Sequence, residues 1–449
     1  MHASAKTTLN VVAEPGLNPA ATCSFGHVID HCTVWRGHYV NATLTLPAGQ
    51  LGLPRRFSID VYPGKWRHHA RPRPGVADMP TVAVRQGGPD DTLPSCAVPT
   101  PARVPVFVVG AMWLRNYYHA LLDFSFSLFA TVRAALGYPF RSRFRVVLLG
   151  STGGAARHQQ RLREPFEPGG ALSPWAQHMR WPAADGREAA LCGSTSAPLH
   201  VGMVDNVSLC QLLLPELGGT ATHDAVRSHA TLRDYRLFLL AAVGLAPRVT
   251  ATAAAPARVL LARRTGSRRL SNRAELLSAL RAVLGARGGE VAEVELGSGE
   301  LRPLRAQAEA VGGASALVGV HGAALSNVLF LRGGAALVQL VPSCFPRSHS
   351  SIGAFTWAAA ALGGAALLAR CRCACTLRPP EHNDLLEDCA AESLAELAAR
   401  VAAAVAATSG PSPDAATATA LLHDLWDLNV TSELGARRPC RWPPRPTLP

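Results

Sequence analysis

The chain has 449 residues, which is longer than one ordinary domain, so two or three domains are expected. Hydrophobic residues make up 48% of it, enough for sizeable cores, and the formal charge at pH 7 is +13. The excess of arginine fits anionic ligands such as nucleotide diphosphates or acidic glycans. A nucleic-acid-binding protein is disfavoured, because the sequence shows no zinc finger, aromatic RNA-binding motif or sustained basic helix.

Cysteines and glycosylation sequons point to a secretory compartment. The chain has 11 cysteines and acceptor sequons at Asn41, Asn206 and Asn429, which together favour an oxidising lumen. Residues 1–22 show no signal peptide and no anchor pattern, so we expect membrane association only through an anchor not seen in this chain. The longest apolar run, residues 352–369, is rich in Ala and Gly and favours a buried helix over a membrane span.

The first half of the chain predicts irregular segments mixed with strands and helices. Residues 1–100 are rich in proline and glycine, which favours an irregular region with short β-like pieces and a loop over 67–103. Residues 151–190 are polar and favour a long surface loop. The spacing of apolar residues predicts strands at 104–109 and 143–149 and helices at 116–136 and 231–243.

The second half alternates regularly between strands and helices. Residues 245–257 are rich in Ala and Pro and are predicted to be a linker. Asn272 and Glu275 resemble a capping box at the start of a helix. Alternation of this kind favours a parallel, doubly wound sheet. We therefore expect domains at 1–245 and 246–410 and a tail at 411–449, with strands at 258–262, 290–296, 316–320 and 336–341 and helices at 272–284, 301–311 and 392–407.

One segment of this sheet predicts a ligand site. An apolar, β-branched run ends at His321, small residues follow at 322–324, and a further apolar segment begins, so a strand, a tight turn and a helix are predicted. The first N–H groups and the positive dipole end of such a helix attract anions. Gly322 lets the backbone approach a ligand closely. His321 is expected at the carboxyl end of its strand, where open α/β sheets bind ligands; a buried turn with a satisfied histidine is the alternative.

Residues 318–342 (VGVHGAALSNVLFLRGGAALVQLVP) resemble the signature of glycosyltransferase family 61. Ala324 and Ser326 stand where that family more often has Gly and Thr. The resemblance implies an α/β fold of the GT-B type, with two Rossmann-like domains facing a cleft, an irregular N-terminal region and a C-terminal tail. It also implies that the turn binds a nucleotide-sugar donor through His321, Gly322, Ala323, Ala324 and Asn327.

The arginines of residues 263–269 (RRTGSRR) follow directly on a predicted strand and resemble a basic segment of the same family. A guanidinium suits a diphosphate because it donates paired hydrogen bonds to two oxygens. We expect Arg263 to bind the donor phosphate, supported by Arg268 or Arg269. A solvated basic loop is the alternative.

Residues 115–123 (RNYYHALLD) resemble the family's Asn-aromatic-His and Asp motif. His119 and Asp123 are four residues apart, so they share one face of a helix. An inverting glycosyl transfer needs a base that removes the proton of the acceptor hydroxyl. Asp123 is a candidate for that base, or it orients His119 as the base; a pair that only fixes packing is the alternative.

Disulfides are favoured over a metal centre. Cys23 and Cys32 bracket a short loop, and the resemblance supports a bond between them. The spacing of Cys371, Cys373 and Cys375 is too tight for an ordinary zinc knuckle, which favours disulfides there. We predict no metal site, because no close carboxylate pair follows a strand convincingly, and we expect no cofactor beyond a UDP-sugar co-substrate; a divalent ion is left open.

The resemblance implies an inverting glycosyltransferase of the Golgi lumen that moves a sugar, xylose first, from a UDP-sugar to a glycan or glycoprotein. A non-catalytic nucleotide-sugar- or carbohydrate-binding protein on the same fold is the second hypothesis. A basic nucleic-acid binder is the third, and the lumenal features of the sequence argue against it.

Overall fold

The computed structural model describes residues 104–110, 114–149, 163–180, 198–204, 221–246, 256–265, 268–297, 302–342, 350–373, 389–391 and 393–408, with short strands elsewhere. The chain forms two compact units, the first comprising Met1–Glu167 and Ala171–Ser208 and the second comprising Pro168–Gly170 and Leu209–Pro449. The division therefore precedes the helix at Ala221–Ala242, whereas the sequence placed it after that helix. The difference has a physical reason: Arg236 of this helix donates a hydrogen bond to the carbonyl oxygen of Leu331 in the second unit (2.6 Å).

The first unit contains two mixed sheets. The seven-stranded sheet has the order β1-β2-β3-β12-β8-β9-β10 and the five-stranded sheet the order β11-β4-β5-β7-β6. In the larger sheet, β12, β8, β9 and β10 run parallel, and β3 joins them antiparallel. The strands are β1 (Thr7–Leu9), β2 (Ala21–Phe25), β3 (Ile29–Val34), β4 (Gly37–Val40), β5 (Thr43–Leu46), β6 (Arg56–Asp60), β7 (Thr81–Gln86), β8 (Val106–Gly110), β9 (Arg145–Leu149), β10 (Met179–Arg180), β11 (Leu191–Gly193) and β12 (Leu199–Val204).

The expectation of an irregular N-terminal region was wrong for these strands. Leu44, Leu46 and Val82 are buried and belong to one hydrophobic cluster with Val108 of β8 and Val201 of β12. The predicted loop over 67–103 contains β7, which pairs with both β5 and β6. Proline and glycine are frequent around these short strands, and they hid the alternation of buried side chains that defines each strand.

A helix connects the parallel strands β8 and β9, as predicted. It begins as a π-helix over His119–Ser125 and continues as α1 (Phe126–Leu136). Asn116 starts it as an N-cap, because its side-chain oxygen accepts the backbone N–H of Tyr118 (3.0 Å). The surface loop expected over 151–190 was partly wrong, since two 3-10 helices, Glu164–Phe166 and Ser173–His178, bury Phe166 and Trp175.

The second unit is a doubly wound sheet, as predicted. Its order is β14-β13-β15-β16-β17-β18, and every strand runs parallel except the edge strand β18. Its strands are β13 (Arg258–Ala262), β14 (Glu290–Val294), β15 (Ala316–Val320), β16 (Ala336–Pro342), β17 (Ala365–Cys373) and β18 (Cys389–Ala391). Its helices are α2 (Ala221–Ala242), α3 (Arg273–Gly285), α4 (Leu304–Gly312), α5 (Ser350–Ala361) and α6 (Leu394–Thr408), with a 3-10 helix at Ala323–Phe330.

Side chains alternate between the two faces of this sheet. Val259, Leu261, Val318 and Val338 lie in one hydrophobic cluster with residues of α3 and α6. Ala262 and Gly319 lie on the other face, because a Cβ on Gly319 would come within 3.0 Å of the Ala262 Cβ and 3.1 Å of Leu325 in the 3-10 helix. The α/β fold class is thus confirmed, while a GT-B arrangement of two such domains stays a prediction.

Two local predictions are corrected in the second unit. The proposed capping box at Asn272 is absent, because the Asn272 carboxamide exchanges two hydrogen bonds with the backbone of Ala391 instead (2.9 and 2.8 Å). The apolar run over 352–369 is not one buried helix but α5, a turn and β17. Within the described residues, no helix has the length and apolarity needed to cross a bilayer.

The predicted modification sites are only partly within the described residues. Asn41, Asn206 and Asn429 lie outside them. Cys32 and Cys371 are disulfide-bonded, and Cys23 lies directly opposite Cys32 across the antiparallel pair β2–β3. Antiparallel partners have the Cα separation that a disulfide requires. The side chain of Cys23 lies outside the described residues, so its bond with Cys32 stays a prediction.

Candidate functional site

The strand order of the second unit marks one crevice as the place for a ligand. β14 pairs with one edge of β13, and the next strand in the chain, β15, pairs with its opposite edge. The winding direction of the sheet therefore reverses between β13 and β15. Open α/β sheets bind ligands outside the carboxyl ends of the strands at such a reversal. A pocket of about 300 Å³ lies there, lined by Ala262, Arg263, Arg264, Arg269, Leu270, Ser271, Arg273, Ala274 and Val320.

Arg264 links the basic loop to the turn that follows β15. Its guanidinium lies against Gly322, so closely that a Cβ at position 322 would overlap the Nη1 atom of Arg264. Burial lowers the pKa of Arg264 from its usual value, although the group stays charged at any physiological pH. The structure therefore brings the two predicted phosphate-binding segments together through Arg264, a residue that the sequence analysis did not select.

Arg263 has a different setting from the one expected. Its Nε donates to the Glu295 carboxylate (3.0 Å), its Nη2 makes a second and shorter bond to the same oxygen, and Glu293 lies 3.6 Å away. These carboxylates raise the pKa of Arg263. Glu293 also pairs with Arg273 (3.1 Å). The Arg263 charge is thus already balanced by two glutamates at the rim of the pocket.

The two remaining arginines of the loop differ in position. Arg269 is among the described residues that line the pocket, whereas Arg268 is not. Arg268 has a left-handed backbone with φ of 59°, which is uncommon for a residue with a side chain. This conformation turns the chain between β13 and α3 and brings Arg269 and the first residues of α3 to the pocket.

His321 is buried. Only 2% of it is exposed, and the pocket is lined by its neighbour Val320 rather than by the imidazole itself, among the described residues. Its Nδ1–H donates to the Oε1 atom of Gln339 in β16 (2.5 Å), and its ring meets Phe355 edge-on at 5.6 Å. The side chain of His321 therefore faces the protein interior and not the pocket.

The segment after the turn is a 3-10 helix and not the α-helix that was expected. Ala323 and Ala324 form its first turn, and Asn327 is completely buried. The Asn327 amide donates to Gln307 of α4 (3.0 Å) and to the carbonyl oxygen of Ala324 (2.9 Å). A 3-10 helix of eight residues is unusually long, and these inward bonds help to hold it. Asn327 thus stabilises the turn from the protein interior, through its bonds to Gln307 and Ala324.

In the first unit, the predicted pair of His119 and Asp123 is formed. The His119 Nδ1–H donates to the Asp123 Oδ2 atom (2.6 Å). The His119 side chain is 20% exposed and the Asp123 side chain 3%. Because a carboxylate only accepts hydrogen bonds, the contact fixes Nδ1 as the protonated nitrogen and leaves Nε2 as the basic nitrogen of the neutral ring.

The surroundings of this pair hold it in place. The buried Tyr118 hydroxyl is also bonded to Asp123, and burial together with the Asp123 charge raises the Tyr118 pKa well above its usual value. Trp175 donates its indole N–H to the Ser125 hydroxyl (2.7 Å) at the far end of the π-helix. π-Helical segments occur frequently at functional sites. The pair lies in the helix that comes after the parallel strand β8, and α/β proteins bind ligands at the carboxyl ends of such strands.

Within the described residues, no group of three or more His, Cys, Asp or Glu side chains is placed to hold a metal ion.

Comparison with known proteins identifies a family. No curated protein matches the chain. The family model described as Glycosyltransferase 61 matches residues 117–338, a stretch that begins just before His119 and includes the arginine loop and the Gly322 turn. The chain therefore belongs to glycosyltransferase family 61, whose members transfer sugars.

Proposed function

We propose that the protein is an inverting transferase that moves a sugar from a UDP-sugar to a glycan or glycoprotein acceptor, with xylose as the first sugar to test. The observation that carries this proposal is the arginine-lined pocket at the strand reversal, where Arg264 lies against Gly322. The chemistry of a nucleoside diphosphate matches such a pocket, because two phosphates offer several oxygens and a concentrated negative charge.

Arg264 and Arg269 are the proposed ligands of the diphosphate. Both line the pocket, and Arg264 is partly buried, so its charge is less screened by water than that of a surface arginine. Arg273 and Ala274, the first residues of α3, line the same pocket and bring the positive end of a 13-residue helix to it. As the bond from the sugar to the diphosphate breaks, these groups stabilise the charge that develops on the departing UDP.

His119 is the proposed general base. Between the two candidates, His119 is the more exposed, whereas Asp123 is buried and bonded to both Tyr118 and His119. The Nε2 atom of His119 takes the proton of the acceptor hydroxyl while that oxygen attacks the anomeric carbon from the face opposite UDP. Asp123 then stabilises the imidazolium that forms. Attack from the opposite face gives inversion.

Membership of the family also supports a place in the secretory pathway. We propose the Golgi lumen as the compartment, in keeping with the cysteines and sequons of the sequence.

A panel of UDP-sugars tests the proposal in two steps. A ligand that binds only the folded protein raises its melting temperature, so thermal shift identifies the donor. The donor is then offered with a broad set of glycan acceptors, with and without added Mn²⁺ or EDTA, and released UDP and transferred sugar are measured. Binding without transfer to any acceptor, by wild type and Asp123→Asn alike, would favour the non-catalytic alternative; failure of every UDP-sugar to bind would remove both.

A further inference from the structure

Gln339 is a polar side chain in the middle of a buried parallel sheet. It lies on β16 directly beside Gly319 of β15, and only 1% of it is exposed. Its neighbours along the strand, Val338 and Leu340, are apolar core residues. A buried amide destabilises a fold unless it is hydrogen-bonded, so a hydrophobic residue is the ordinary choice at such a position. The hydrogen-bond partner of Gln339 therefore explains why an amide occupies this position.

Its partner is His321. The Oε1 atom of Gln339 only accepts hydrogen bonds, so the short contact of 2.5 Å fixes the proton of His321 on Nδ1. The backbone N–H of His321 donates to the carbonyl oxygen of Leu340, the residue after Gln339 (2.8 Å). His321 is thus held twice by β16, once through its backbone and once through its ring.

Such a double attachment fixes the direction in which the chain leaves β15. Gly322 is the next residue after His321, and the Arg264 guanidinium packs against it. On the same face of the sheet, the bare Cα of Gly319 leaves room for Leu325 of the 3-10 helix. Without the bond from its ring to Gln339, His321 would be tied to β16 by its backbone N–H alone, and the Gly322 backbone against which Arg264 packs would be held less firmly.

We propose that Gln339 is a positioning residue of the donor site. By holding the His321 ring, it fixes the position of the Gly322 backbone, against which Arg264 packs where it binds the donor diphosphate. The inference rests on the proposed function. It assigns His321 an internal role and gives the buried amide of β16 a function in donor affinity, without contact between Gln339 and the donor.

The test compares three variants of Gln339 with UDP as the probe. Gln339→Met keeps the volume and removes the acceptor, Gln339→Asn withdraws the acceptor by one methylene, and Gln339→Glu retains an acceptor at full length. Loss of one neutral hydrogen bond is worth about fivefold in an equilibrium constant. We therefore expect UDP to bind about fivefold to tenfold more weakly to the Met and Asn variants, and the Glu variant to recover most of the affinity.

Two controls separate positioning from plain destabilisation. Thr131→Val removes a buried hydrogen bond of the first unit, from Thr131 to the Ser127 carbonyl oxygen (2.7 Å), and should lower the melting temperature without changing UDP affinity. In a His321→Phe background, Gln339→Met should add no further loss of affinity. In turnover, the donor KM should rise while the acceptor KM stays as in wild type.

The outcomes distinguish a failure of the positioning role of Gln339 from a failure of the proposed function. If wild type binds UDP and the folded Met and Asn variants bind it equally well, Gln339 has no positioning role and the proposed function stands. A loss of affinity with Gln339→Met that is the same in the His321→Phe background also overturns the inference, because the effect then does not pass through His321. Failure of wild type to bind UDP overturns the proposed function and this inference together.

Discussion

A methyl group at Gly322 is the smallest change that tests the proposed donor site. In Gly322→Ala, the new Cβ would overlap the Arg264 Nη1 atom, so the guanidinium must retreat to an ordinary contact distance of about 3.5 Å. The obstacle is the far end of a flexible side chain and not backbone, but the Gly322 φ of +159° strains any residue with a Cβ, so the melting temperature of the variant is measured beside its UDP affinity. The substitution therefore displaces Arg264 while leaving its charge in the protein.

The size of the effect follows from the bonds at risk. A hydrogen bond to a charged group contributes about 1.5–3 kcal/mol, and each 1.4 kcal/mol changes a dissociation constant about tenfold. Arg264→Ala, which removes the guanidinium, should weaken UDP binding by about ten- to a hundredfold. Gly322→Ala moves the group without deleting it, so we expect about a tenfold loss.

Titration calorimetry with UDP measures these losses, and a double-mutant cycle joins them. In an Arg264→Ala background, Gly322→Ala should cost less than about twofold, because the side chain that it displaces is already gone. Gly333→Ala is the matched control: it lies shortly after the same 3-10 helix, and a Cβ there meets no atom within 4 Å. It should bind UDP like wild type.

Two results would refute this reasoning. If Arg264→Ala binds UDP as tightly as wild type, Arg264 is not a phosphate ligand. If Gly322→Ala weakens binding by the same factor with and without Arg264, the methyl group acts on the donor or on the backbone directly, and the contact between Arg264 and Gly322 is incidental.

Three further predictions concern other parts of the chain. Arg263→Ala should change UDP affinity less than about threefold, because the Arg263 guanidinium is already engaged by Glu295; a loss as large as that of Arg264→Ala would contradict this. His119→Gln should lower kcat by about a hundredfold or more with little change in UDP affinity, as expected for a general base, and a wild-type transfer rate would exclude that role. His200 is buried against Phe107, and burial lowers its pKa to about 4. Because the unfolded chain then binds the proton first, stability should fall between pH 6.5 and pH 4 by up to about 3 kcal/mol, and His200→Phe should flatten this slope in urea unfolding; an unchanged slope would contradict the assignment.

The sequence predicted the second unit far better than the first. Each strand from β13 to β16 is separated from the next by a helix, and α3 shows its own period of buried residues at Leu276, Leu280 and Leu284. The first seven strands, of three to six residues, lie in proline- and glycine-rich chain, and the pairing of the larger sheet depends on contacts distant in sequence, such as β3 with β12. Local pattern carries little information about such pairs.

The roles of individual site residues were harder to predict than their location. His321 was correctly placed at the carboxyl end of β15, yet the sequence did not show whether its ring faces a ligand or the interior. Its partner Gln339 is 18 residues away on the next strand, and the pairing becomes visible only once β15 and β16 lie in register. The i, i+4 pair of His119 and Asp123 was predictable because both members lie on one helix.

The choice between Arg263 and Arg264 could have been made from strand alternation. On β13, Val259 and Leu261 belong to the core beneath α3 and α6, while Ala262 faces Gly319 on the opposite side. If the alternation of side chains continues past the end of the strand, Arg263 has the parity of Leu261 and Arg264 the parity of Ala262. On β15, His321 shares the parity of Gly319, so Arg264 and the His321–Gly322 turn belong to one face. The contact between Arg264 and Gly322 therefore follows from the period of two residues in adjacent parallel strands, once the core face of each strand is known.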